Sequence, residues 1–493
     1  MPRYHLETAF LSDRWARDVI VDVSEQGFIT GIETASAHAG ASGQSSSSPQ
    51  SNSTMQSGAA ALSGGSAHHG AFPQRIDGIV VPGMPNAHSH AFQRAMAGNT
   101  EFRLSARDSF WTWRQVMYAL ANRIEPDDLE ILATQLFMEM LKSGYTSVAE
   151  FHYLHRGRDG VSYPGTNPLW EAIDNAASAA GIALTFLPTL YQTSDFGGKP
   201  LKPEQARFAS ETDAFLRAVG EKISADRRGR EATRRTGAAF HSLRAVPLDN
   251  LRRAALSLRD MDATLPVHIH VAEQRLEVEA CVRETGRRPI ELLLDTGLVD
   301  RHWCLVHATH ATGGELKSLC AAAASVCVSV STEANLGDGF FDTARFLKAG
   351  GRLCVGSDSQ CSVNPAEELR WLEYQQRLRK RRRGVLAAGG ESHVGTRLWR
   401  DAARCGAAAI GQPAGAIELG ARADWLVLDD THPSMAGAAA DTALDHLLFA
   451  GGDAAIRDVM VAGRWVIKQR HHAAEDELRP RFAALMRRLA APA

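Results

Sequence analysis

The sequence predicts an α/β protein: a (β/α)8, TIM-like barrel inserted in a small β-sandwich domain formed from both termini. Three observations predict it. Between residues 79 and 411, eight short apolar runs alternate with helix-like stretches. Short alternating segments occupy residues 4–6 and 19–23, and strand-like runs return at 425–429 and 459–466. Between the N-terminal segments and the first barrel run, residues 35–73 turn abruptly to Ser, Gly, Ala, Gln and His. That stretch lacks the apolar surface to offset its ordering entropy and reads as a disordered surface insertion. The expected division is therefore a composite small domain of residues 1–78 and 412–493, with a barrel over 79–411.

In chain order, the expected barrel strands are 79–81, 147–151, 184–190, 238–242, 267–271, 303–307, 326–331 and 353–356. Helix-like segments at 127–142, 169–180, 203–219, 274–285 and 366–382 fall between them. In such a barrel, functional groups gather at the C-terminal ends of the strands. Two basic clusters, 227–235 in an expected loop before the fourth strand and 377–383 closing a helix, read as solvated faces and favourable helix ends.

Composition sets further bounds. The chain has 493 residues, with Lys+Arg 54 against Asp+Glu 56, a formal charge of -2. That near-neutral balance gives no global field for nucleic acid or an anionic membrane. The start carries no apolar h-region and no run reaches the ~18 residues of a membrane span. Seven cysteines without CxxC spacing read as reduced packing residues. A cytoplasmic protein with neither nucleic-acid nor membrane partners is the expectation.

The polar residues at the strand ends form an ordered set. P-G-M-P-N-A-H-S-H places His88 and His90 two apart, so in an extended segment both imidazoles share one face. P-V-H-I-H-V-A-E supplies His268, His270 and Glu273 near the fifth strand. His268 and His270 point the same way, and His270 is chosen as the one nearer the strand's C-terminal end. W-C-L-V-H-A-T-H supplies His307 and His310, and V-G-S-D-S supplies Asp358. His268 and His310 read as hydrogen-bonded core residues. Three histidines and an aspartate at a barrel mouth suit zinc, with a position left for water whose pKa the ion lowers towards ~7.

This pattern, together with the C-terminal G-A-R-A-D-W-L-V-L-D, resembles the amidohydrolase superfamily. A-A-F-H-S-L-R at the fourth strand holds no lysine, which argues against the binuclear branch, and H-V-A-E resembles the deaminases. Within them, PGMPNAHSHAFQRAMAG, WTWRQVMY, GYTSVAEFHYLH, FHSLRAV and STEANLGDG resemble the formimidoylglutamate deiminase family of histidine degradation. Two departures stand out: the Ser-rich insertion, and Gln360 where a histidine is expected.

The resemblance implies that His88, His90, His270 and Asp358 hold one zinc per subunit. It implies that Asp358 also accepts a proton from the attacking water, that His307 orients that water, and that Glu273 protonates the imine nitrogen. The implied substrate is a small dicarboxylate, N-formimidoyl-L-glutamate, hydrolysed to N-formyl-L-glutamate and ammonia. Arginine pairs with carboxylate bidentately, so Arg114 and Arg244 are the expected anchors, set apart along the substrate. Gln93, Tyr153 and His241 are the expected supporting contacts, and a homodimer is the expected assembly. Three other readings were weighed: a deaminase of a nucleobase or other amidine, a metal-dependent amide hydrolase, and a non-catalytic scaffold. The scaffold would be expected to have lost some of these residues, and none is missing.

Overall fold

The computed structural model describes residues 1–34, 72–102, 109–387 and 390–490, so the 35–73 insertion lies, up to residue 71, outside the described residues. Two sheets organise the chain. The smaller runs Arg464–Ile467, Ile456–Val461, Trp425–Leu428, Gln74–Pro82, Arg3–Phe10, Trp15–Val23, Ile29–Thr34, in that spatial order. It thus draws strands from both ends of the chain, with Trp425 antiparallel to Pro82 at its centre. Tyr4 and Trp465 lie four strand spacings apart along it, about 19 Å in a flat sheet. Their rings nevertheless meet at 6.5 Å. The sheet is folded over on itself, which produces the two facing layers of a sandwich. Its inner face, with Leu6, Val21, Ile76, Val80, Trp425 and Met460, forms a core separate from that of the barrel.

The larger sheet is the barrel. Its eight parallel strands are Met84–Ser89, Tyr145–His152, Ala183–Leu190, Ala238–Ser242, Val267–Val271, Trp303–His307, Ser325–Val328 and Arg352–Val355. A short piece, Arg234–Thr236, pairs beside the third strand just before the fourth. The ring closes where the backbone N–H groups of Ser357 and Asp358 donate to the His88 carbonyl, at 3.1 and 3.0 Å, and His90 N–H donates back to Asp358 O at 3.2 Å. Closure demands close approach: a Cβ on Gly356 would come within 2.7–2.9 Å of the His88 backbone and Cβ, so only glycine fits there. Helices between the strands begin and end on ordinary signals. Asn167 caps Pro168–Ala180 and Gly181 ends it in the left-handed region; Asn364 caps Pro365–Lys380. No helix among the described residues is long and apolar enough to cross a membrane.

Several expected elements are corrected. Residues 79–81 are not the first barrel strand but part of the central strand of the small sheet. The barrel begins at Met84, after the chain changes sheets at Pro82-Gly83, where a Cβ on Gly83 would strike the Thr146 side chain. A fully buried apolar run reads the same in either sheet, which is why sequence alone misplaces it. The run 459–466 is a hairpin, Ile456–Val461 and Arg464–Ile467, turning at Ala462-Gly463. Residues 203–219 split into a 3-10 turn, Pro203–Phe208, and the helix Thr212–Gly229. Arg227 and Arg228 close that helix rather than lie in a loop, and the chain ends in a further helix, Glu475–Ala490.

Candidate active site

The ends of barrel strands 1, 5 and 8 bring four side chains together. One ligand atom from each of His88, His90, His270 and Asp358 lies within 4.8 Å of the other three, all of them buried. His270 Nε2 is 3.0 Å from His88 Nε2 and 3.3 Å from His90 Nε2. Asp358 Oδ1 is 3.3 Å from His88 Nε2 and 3.4 Å from His90 Nε2.

The protonation pattern tests whether a cation fits. The Nδ1 atoms of His90 and His270 each lie 2.8 Å from a backbone carbonyl, those of Phe151 and His241. A carbonyl can only accept, so each Nδ1 carries the proton and each Nε2 presents a lone pair to the centre. Burial pushes the His88 imidazole down to about 3 and holds His90 and His270 below the ordinary range as well, with the neighbouring histidines adding to the effect. The His90 and His270 Nε2 lone pairs, converging at 3.3 Å, repel each other unless a positive ion lies between them. Burial raises the Asp358 carboxyl, but its contacts with the surrounding imidazoles, His88 first and then His307 and His90, outweigh it and hold the group below the carboxylate range. Three neutral imidazoles and one ionised carboxylate are the donor set that zinc takes.

Beside this cluster lie an acid and a cation. His307 Nδ1 is 3.3 Å from Glu333 Oε1, while Nε2 faces Asp358 Oδ2 at 3.6 Å and Glu273 Oε1 at 3.8 Å. Burial opposes charge on His307, but Glu273, Glu333 and Asp358 outweigh it and raise its pKa well above the ordinary value. Burial lifts the Glu273 carboxyl to about 7, against the pull of His307 and with the help of Asp358 and Glu277. Glu277 accepts the N–H groups of Ala272 and Glu273, which fixes the turn that delivers Glu273. The backbone here is strained: Ala272, His307, Ala308, Asp358 and Gln360 all have φ between 47° and 68°. Such values cost non-glycine residues about 1–3 kcal/mol each and cluster at functional sites.

A cavity opens onto this chemistry, and Gln93, Arg114, Tyr153, His241, Arg244 and Glu273 all line it. Gln93 Nε2 donates to Tyr153 Oη at 2.8 Å, and the Tyr153 ring meets His90 edge-on at 5.0 Å. Arg114 and Arg244 are both buried, and both guanidinium carbons lie over the Trp111 ring, at 5.3 and 5.5 Å. Both therefore flank the same indole. Neither pairs with a carboxylate among the described residues, and Arg244 Nε is buried without a hydrogen-bond partner.

The other marked residues are also placed. His268 Nε2 meets Ala409 O at 2.9 Å, away from the cluster, as a core histidine. His310 is corrected in part: it is hydrogen-bonded to the Asp338 backbone but lies beyond its strand, part-exposed. Gln360 donates to Ser89 Oγ at 3.0 Å and to Asp358 O at 2.6 Å, bracing the loop that carries Asp358. Sequence reasoning passed over Glu277, Glu333, Tyr118, Tyr191 and Gln205. Of these, Tyr118 and Glu333 stood inside quoted motifs, Tyr118 one helical turn beyond Arg114.

Comparisons with known proteins agree with this architecture. The chain is 44% identical over 480 residues to a formimidoylglutamate deiminase of Pseudomonas aeruginosa, covering 97% of this chain and 98% of that protein. It is 27% identical to a 5-methylthioadenosine/S-adenosylhomocysteine deaminase of Halobacterium salinarum, over 83% of this chain and 86% of that one. The crystal structure of an amidohydrolase from Brucella melitensis superposes with a TM-score of 0.86 at 38% identity, covering all of both chains. A zinc-bound adenosine deaminase of Xanthomonas campestris shares the fold, with a TM-score of 0.77 at 20% identity over 99% and 98% of the two chains. The Amidohydrolase family profile matches residues 79–466, across the barrel and into the C-terminal strands, and the chain belongs to that family.

Proposed function

We propose that this protein is a zinc-dependent iminohydrolase that converts N-formimidoyl-L-glutamate and water to N-formyl-L-glutamate and ammonia. The observation that carries the reading is the pair of buried guanidiniums, Arg114 and Arg244, lining a cavity whose floor is the histidine–aspartate cluster. Buried cations that line a cavity with neither carboxylate nor carbonyl partners among the described residues call for an anionic ligand, because an unpaired charge is costly to desolvate. A dicarboxylate would supply two. The name of the Pseudomonas relative, at 44% identity, supports the same substrate.

His88, His90, His270 and Asp358 would hold the zinc, which when bound supplies Lewis-acid activation of water. Arg114 and Arg244 bind the carboxylates, with Gln93, Tyr153 and His241 as polar contacts, and so present the formimidoyl carbon over the floor. Asp358 takes a proton from the attacking water as the C–O bond forms. His307, cationic and held by Glu333, orients that water and offsets developing negative charge. Glu273 gives its proton to the imine nitrogen, turning the C=N bond single. The tetrahedral adduct then collapses: the proton held by Asp358 passes by way of Glu273 to the amine nitrogen, the C–N bond breaks and ammonia leaves, and the hydroxyl becomes the formyl carbonyl as its proton restores Glu273. The resemblance further supports a cytoplasmic homodimer with one zinc per subunit, acting in histidine degradation.

The test is ammonia release by zinc-loaded protein from N-formimidoyl-L-glutamate, beside N-formyl-L-glutamate and guanine. Release from the first alone supports the reading. Release from guanine alone would replace it with a nucleobase deaminase.

A further inference from the structure

We propose that Gln205 is a positioning residue that sets the hydrogen-bond polarity of the carboxylate-binding wall, aiming a phenolic O–H and Arg114 at one substrate carboxylate. The inference rests on the dicarboxylate reading above and names a part of the wall that the sequence motifs do not contain.

Gln205 is fully buried on the turn Pro203–Phe208, remote in sequence from the motif that carries Arg114. Its Oε1 receives the backbone N–H of Lys202 at 3.0 Å. A backbone N–H can only donate, so that contact fixes which end of the amide is oxygen. The Nε2 end must then face the two phenols it touches, Tyr118 Oη at 3.1 Å and Tyr191 Oη at 2.7 Å. Both of its hydrogens are donated there, and both phenol oxygens accept.

Tyr118 Oη also accepts the Nε–H of Arg114. Two N–H donors fill its two lone pairs, so its own hydrogen must go elsewhere. Tyr191 Oη has one acceptor position left after Gln205. If Tyr118 donates to it, the Tyr191 hydrogen remains; if not, both hydrogens remain. Either way, two phenols that both line the cavity are left with at least one O–H that no described protein acceptor takes. Arg114 has meanwhile spent Nε on Tyr118, which leaves its two terminal nitrogens. An O–H donor beside a guanidinium is a receptor for a carboxylate, and a glutamine at 205 forces that polarity.

Gln205→Glu tests this, because a carboxylate of the same shape keeps the Lys202 contact but accepts from the phenols, withdrawing their hydrogens from the cavity. The expected result is a rise of about tenfold or more in KM for N-formimidoyl-L-glutamate with kcat within about threefold, at unchanged zinc content. Calorimetric binding of glutarate should weaken by a similar factor. A fall in kcat with KM unchanged, or unweakened glutarate binding, overturns the proposal. Tyr191→Phe, which removes an O–H without placing a charge, should weaken glutarate in the same direction and covers the case in which the glutamate variant does not fold. If the wild type releases no ammonia from N-formimidoyl-L-glutamate, the substrate reading falls, but the glutarate titration still decides the role of Gln205. No glutarate binding by the wild type would overturn it too.

Discussion

Two of the places where this molecule buries arginines do so in opposite ways. Between the barrel and the small sheet, Arg422 and Asp424 are both inaccessible to solvent, joined by contacts of 2.6–3.0 Å. Arg422 also donates to Ala232 O and Gln412 Oε1, and Asp424 accepts the Ala462 N–H at 2.9 Å. That clasp ties three loops together and leaves little of either charge unmet. At the barrel mouth, Arg114 and Arg244 are nearly as buried but lie on an indole and a phenol, with no carboxylate partner among the described residues. A buried arginine with its counter-ion holds a fold together. Arg207, buried without a carboxylate, also holds the fold, because its guanidinium donates to the carbonyls of Arg156, Ala121 and Ile124. One that faces a cavity with neither carboxylate nor carbonyl partner is a receptor, kept at some expense in stability.

The comparison can be broken at either end. The largest effect is expected at the clasp: Asp424→Ala strands a buried guanidinium and should destabilise the protein by about 3–5 kcal/mol, read by chemical denaturation. Arg114→Met or Arg244→Met should do the reverse. Each should lower kcat/KM for N-formimidoyl-L-glutamate by about 10–100-fold, the worth of a charged hydrogen bond, while thermal stability holds or rises. A melting temperature that falls as far as that of Asp424→Ala would place the mouth arginines with the structural ones.

The pH profile sharpens the chemistry behind that wall. Glu273 is the acid of the proposed reaction, and burial raises its pKa to about 7. The competent protonated form dominates below that value, so kcat/KM should fall as pH rises through about 7. Glu273→Gln should abolish that limb together with most of the activity. The smallest effect concerns a third kind of arginine. Arg381, exposed, ends the helix Pro365–Lys380 at φ 52°, a conformation that suits glycine. Arg381→Gly should stabilise the protein by about 1 kcal/mol without touching catalysis.

The sequence made some of this legible and hid the rest for physical reasons. His88, His90, His270 and Asp358 could be read because the residue types are rare at strand ends and each follows an apolar run. The barrel could be read from the alternation of those runs with helical stretches. The change of sheet at Pro82-Gly83 could not, because buried strands in both sheets are continuous apolar runs. Tyr118, Tyr191 and Gln205 were hidden because a tyrosine inside a helix or a glutamine in a turn carries no chemical signature until the fold brings the three together. The left-handed residues at the strand ends were hidden for a simpler reason. They are not glycines, and only the closed barrel compels His307 and Asp358 to adopt φ of 68° and 47°.

The small sheet has a consequence measured in time rather than distance. Its central strand, Gln74–Pro82, needs Trp425–Leu428 on one side, and some 340 residues separate the two partners. At about 5–20 residues per second, a ribosome takes on the order of half a minute to make that stretch. Throughout it, one edge of a strand containing Ile79, Val80 and Val81 has no partner to pair with, and such edges invite association with other chains. The barrel can begin to assemble early, while the sheet that carries the first strands of the chain must wait for nearly the last. Faster synthesis of residues 83–424, or lower expression, which leaves fewer waiting chains to meet one another, should therefore raise the soluble yield.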